Sequence, residues 1–106
     1  MQTFADLFKK YRLKSEFETL CQFGKALAEE GIVYDDSIFT RWQNGARTPK
    51  DRTLLLTVLK IFVHRGGITT LDQANELISS TGLGYLTNQE HHILIPESYI
   101  HEAQSL

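Results

Sequence analysis

Cysteine, proline and late positive charge are all scarce in this chain. Cys21 is the only cysteine, so no intrachain disulfide can form. A lone thiol on an apolar helical face is expected as a small filler in a reducing compartment, which places the protein in the cytoplasm. Only two prolines, Pro49 and Pro96, interrupt the backbone, and clear strand signals are few. No apolar run approaches the ~20 residues that a membrane-crossing helix needs. The start, Met1-Gln2-Thr3-Phe4-Ala5-Asp6, is polar and mixed, unlike a signal peptide. No lysine or arginine follows residue 65.

That last absence splits the chain. Residues 1–65 carry eleven cations against eight acids, net +3, and residues 66–106 carry five acids and no cation, net −5. The overall −2 hides a mildly basic first part, the one suited to a polyanion, and an acidic second part.

Sites for chemistry are also missing. His64, His91, His92 and His101 lie at no usual zinc spacing, and one cysteine cannot build a zinc knuckle. Gly82-Leu83-Gly84 lacks the third glycine, the lysine and the preceding strand of a phosphate loop. Glu29-Glu30 and Asp35-Asp36 are adjacent acids with nothing to pair them with a substrate. The expectation is no enzyme, no metal, no cofactor and no small-molecule substrate.

Helix starts and stops recur instead. Phe4, Leu7, Phe8 and Tyr11 fall at i, i+3, i+4, i+7 on one helical face. Ser15-Glu16-Phe17-Glu18 fits a capping box, opening a helix with Phe17, Leu20, Cys21, Gly24, Leu27 and Ala28 on one side and Gly31 as its stop. Asp35, Asp36 or Ser37 caps a short third helix over about residues 36–44, ended by Gly45. Thr48-Pro49-Lys50-Asp51 reads as the next start, with Thr48 as cap and Pro49 in the first helical position. Leu54 to Val63 is apolar nearly all round, which makes that helix the buried strut. Gly66-Gly67 ends it. Thr70 to Gln73 and Thr87 to Glu90 form further capping boxes. His92 to Ile95 suits a helix or a short strand, and Pro96 opens a last turn with Tyr99 and Ile100. The expected fold is all-α: a compact bundle of about five helices with a helix-turn-helix, plus a short C-terminal extension. Residues 3–65 form the core, and residues 66–106 form an acidic helical extension, a dimer or regulatory surface.

The third helix carries the functional reading. Ile38, Phe39 and Trp42 suit a core, while Ser37, Thr40, Arg41 and Asn44 suit an outer face. Arginine can pair bidentately with guanine O6 and N7, and hydroxyls can reach bases or phosphates. Arg47, Lys50 and Arg52 flank the next helix start, where cations and backbone amides hold phosphates.

The run Arg41-Trp42-Gln43-Asn44-Gly45-Ala46-Arg47-Thr48-Pro49 resembles the Cro/C1-type helix-turn-helix family, whose recognition helix ends in an apolar residue, a polar residue and an Asn-Gly-like stop before a basic position and a proline. The resemblance covers roughly residues 3–65, with Phe39, Trp42, Gly45 and Pro49 as the scaffold. It implies a sequence-preferring DNA-binding transcription regulator of the bacterial or phage kind, often a homodimer, with double-stranded DNA as partner. Where the family places a phosphate-gripping glutamine near the start of helix two, this chain has Phe23 or Gly24, beside Gln22. The interval from Gly31 to Trp42 is wide for the intervening turn. Asp35 and Asp36 stand at the front of the recognition helix, where they cap it or accept from cytosine N4. The alternative is a protein-interaction module, or the adaptor domain of a signalling protein, on the same frame.

Overall fold

The computed structural model describes residues 2–94; Pro96, Tyr99, Ile100 and His101 lie outside the described residues. Every described element is helical: α1 (Phe4–Lys14), α2 (Leu20–Glu29), α3 (Asp36–Gln43), α4 (Arg52–His64), α5 (Leu71–Ser79) and α6 (Asn88–Leu94). There are thus six helices among the described residues rather than about five, because the C-terminal part contributes two of its own.

Phe4, Leu7, Phe8 and Tyr11 are all buried, so the periodicity of α1 sets its face directly. α4 buries seven residues, from Leu54 to Val63, and is the strut the apolar run implied. α1 packs on α3 and α5, α2 on α3 and α4, and α6 on α4. Rings fill the centre. Phe8 stacks on Phe4 at 5.7 Å and meets Phe23 and Trp42 edge-on at 5.2 and 5.7 Å. Phe23 in turn meets Phe17, Phe39 and Phe62 within 5.9 Å. Such edge-to-face contacts add to the area each ring removes from water.

Two helix starts differ from expectation. Ser15 does not open α2 but closes α1: its amide donates to Tyr11 O at 2.9 Å, and Glu16 turns left-handed at φ 66°. The capping box lies at Thr19, whose hydroxyl accepts from Gln22 N while the Gln22 side chain accepts from Thr19 N. With the helix starting later, its inner face becomes Leu20, Phe23 and Leu27, and Cys21 is exposed instead of filling the core. At α4 the cap is Asp51, whose carboxylate accepts from Thr53 N and Leu54 N. Thr48 and Pro49 therefore precede the helix, and Pro49 is buried. The boxes at Thr70 and Thr87 form as expected, and residues 92–94 are helical rather than extended.

Candidate nucleic-acid interface

Asp35 caps α3 by accepting from Ser37 N at 3.3 Å. Eight residues make barely two turns, too few to hold a helix alone. Neighbours hold it. Phe39 is fully buried and Trp42 nearly so, against Phe23, Phe8 and Phe4. Gly24 makes room for the approach of α2 to α3, since a Cβ there would lie 3.1 Å from the Phe39 ring.

A buried cation fastens the far end. Arg12 on α1 is 4% exposed. Its guanidinium donates to Gln43 Oε1 at 3.0 and 3.2 Å and to Phe17 O at 2.7 Å. Burial pushes the Arg12 pKa down. No local pattern announces this clamp, because its partners lie 31 and 5 positions away. Arg12→Ala would strand the Gln43 and Phe17 oxygens. It should cost about 2 kcal/mol, from hydrogen bonds to a charged group, and loosen the end of α3. Chemical denaturation measures the cost, and amide exchange at residues 40–44 reports the loosening.

With Ile38, Phe39 and Trp42 turned inward, the outer face of α3 shows Asp36, Ser37, Thr40, Arg41 and Asn44, all exposed. The Thr40 hydroxyl donates to Asp36 O, and Asn44 Oδ1 accepts from Ala46 N at 2.9 Å. The Asn44 amide nitrogen is left as the group to offer outward. Gly45 takes φ +83°, turning the chain toward Arg47, which is exposed. The Arg41 and Arg47 guanidiniums have no partner among the described residues. A groove of about 420 Å³ runs beside this face, lined by Tyr34, Ile38, Trp42, Arg47, Pro49 and Lys50 among others.

The remaining candidate cations are bonded within the molecule. Lys50 Nζ donates to Thr81 O at 2.5 Å. Arg52 forks onto Glu90 at 2.9 and 2.7 Å and donates to Leu83 O and Tyr85 O. The structure thus brings Ser37, Thr40, Arg41, Asn44 and Arg47 together and ties Lys50 and Arg52 to the segment after α5.

No protein-family model, curated protein or solved structure matches the chain. What the site can do rests on its own geometry. α2 and α3 are joined by residues 30–35, longer than the 3–4-residue turn of a compact helix-turn-helix. That loop exposes Val33 and Tyr34 and ends in the acids Asp35 and Asp36.

The Arg52 fork and the Thr87 amide hold the Glu90 carboxyl at about 2, below its ordinary 4.5. A carboxyl lowered on folding adds stability above its unfolded pKa and loses it as pH falls toward the folded value. The side chains of Arg52 and Glu90 are 32% and 19% exposed, so screening keeps the pair at about 1 kcal/mol or less. Between pH of about 5 and about 2, thermal melts of the protein should fall further than those of Glu90→Gln. Parallel curves would show that the pair adds nothing.

Proposed function

We propose that the protein is a sequence-preferring DNA-binding regulator that presents α3 to the major groove. One observation carries this reading. A short helix is locked by aromatics on its inner side and offers Ser37, Thr40, Arg41 and Asn44 outward, with Arg47 beyond its end. Arg41 is the base reader, by bidentate donation to guanine. Ser37 and Thr40 supply hydroxyls, and Arg47 supplies a phosphate contact. Two copies would read half-sites about 34–36 Å apart.

Selection from random duplexes by the full chain, followed by titration at several salt concentrations, tests it. The logarithm of affinity should fall with the logarithm of salt at about −0.9 per phosphate neutralised. Arg41→Ala should flatten the preference at one base position, losing about 1–3 kcal/mol of discrimination. Arg47→Ala should weaken all duplexes alike and reduce the slope by about one contact. An absence of duplex binding at low salt would falsify the reading.

A second reading rests on the front of α3. Exposed Val33 and Tyr34 beside Asp35 and Asp36 suit a protein partner better than phosphate. If that face serves a protein, Tyr34→Ala abolishes capture of that partner and duplexes are ignored at every salt concentration.

A further inference from the structure

Four of the five N–H donors of Arg52 are spent inside the molecule. Nε and Nη2 grip the two Glu90 oxygens at 2.9 and 2.7 Å, Nη1 donates to Leu83 O at 2.7 Å, and Nη2 also donates to Tyr85 O at 2.9 Å. A bidentate grip on phosphate needs two parallel donors, and the closed fork leaves only one. Lys50, two residues earlier, is held by Thr81 O. Every one of these acceptors lies in residues 81–90, within the part of the chain that carries five acids and no lysine or arginine. Glu90 Oε1 also accepts from Thr87 N at 2.9 Å, so the glutamate that completes the capping box of α6 is the one that holds Arg52.

We propose that residues 81–90 compete with phosphate for Lys50 and Arg52, and that Glu90 is a latch whose opening strengthens duplex binding. The proposal rests on the DNA reading above and adds its regulation. The arrangement is a strap rather than a core element. Arg52 and Glu90 both remain partly exposed, and their link is a solvent-screened ion pair of the kind that a denser array of phosphates displaces. α6 packs on α4, so releasing Arg52 frees a cation at the first position of α4, two residues after Lys50, which itself lines the groove beside α3. Net charge alone would make any lost acid favour DNA. The latch makes a narrower claim, that the gain from losing Glu90 runs through Arg52.

Titration of one selected duplex at several salt concentrations, with the full chain, tests the proposal. Glu90→Gln should tighten binding by about tenfold at about 0.1 M salt and steepen the salt slope by about 0.9, the signature of one added phosphate contact. The gain should vanish when Arg52→Ala is added, and Asp72→Asn, an equal loss of acid elsewhere in the same half, should give little of it. Should Glu90→Gln fail to melt cooperatively, Glu90→Asp keeps the charge but withdraws the carboxylate from the fork, and it should move affinity the same way. Equal affinity for the parent and the Glu90 variants overturns the latch and leaves the DNA reading standing. So does a Glu90→Gln gain that survives Arg52→Ala or is matched by Asp72→Asn. Failure of every form to bind duplex at low salt overturns the DNA reading, and the latch with it.

Discussion

Phe23→Ala is expected to remove about 4 kcal/mol of stability, a large part of what a domain of this size holds. The ring is fully buried and lies between 5.2 and 5.9 Å from those of Phe8, Phe39, Phe62 and Phe17. These four rings come from α1, α3, α4 and the α1–α2 connection, so one truncation opens a cavity touched by most of the bundle. The melting temperature should fall by about 20 °C, at roughly 4–8 °C per kcal/mol for a domain near this size. Phe23→Leu, which keeps most of the volume, should cost about 1.5 kcal/mol. Thermal and urea unfolding of both variants checks the pair, and near-equal losses would mean that the site collapses around the gap. Because Phe39 leans on Phe23, the alanine variant should also free α3 before the rest melts, visible as early loss of amide protection at residues 36–43.

Phe23 also shows where the sequence is hard to read. Phe17, Leu20, Cys21, Gly24 and Leu27 follow a helical spacing, and so do Leu20, Phe23 and Leu27. The choice between them turns on whether Phe17 lies inside α2, and that depends on which hydroxyl caps it. Ser15 has a glutamate three positions on, and Thr19 has a glutamine three positions on. Ser15 is taken by the closing turn of α1, with Glu16 bent to positive φ where a glycine is usual. Nothing local in the sequence announces that turn. The faces of α1 and α4, and the inward set Phe39 and Trp42, were legible because their apolar spacing admits one solution. Long-range polar partners were not. Arg12 reads as one more surface cation until α3 brings Gln43 to it, and nothing near Arg52 in the sequence announces Glu90 until α6 brings it. Periodicity specifies which side of a helix faces inward, but it says nothing about which distant carbonyl a long side chain will meet.

Gly67→Ala is expected to cost about 3 kcal/mol, for a steric reason rather than a backbone one. Gly66, one residue earlier, takes φ +80°, and a Cβ there would meet nothing within 4 Å. Gly66→Ala should therefore lose only the left-handed penalty, about 1 kcal/mol. Gly67 has no positive φ, so its backbone would accept alanine. The obstacle is the end of α1. A Cβ at Gly67 would overlap Ser15 Oγ and lie 2.8 Å from Tyr11 O and 3.0 Å from Ser15 N. A rotamer change at Ser15 relieves the first overlap. The other two atoms belong to the hydrogen bond that closes α1 and cannot move without breaking it. Ser15→Ala combined with Gly67→Ala should thus recover only part of the loss. The strain should also travel. Arg12, which holds Gln43, leaves α1 one turn before Ser15, so forcing this junction apart pulls on the clamp at the end of α3. Gly67→Ala should lower both the melting temperature and the amide protection of residues 40–44, while Gly66→Ala should lower the melting temperature slightly and leave that protection intact. A Gly67→Ala loss no larger than that of Gly66→Ala would show that α1 and the end of α4 do not approach this closely.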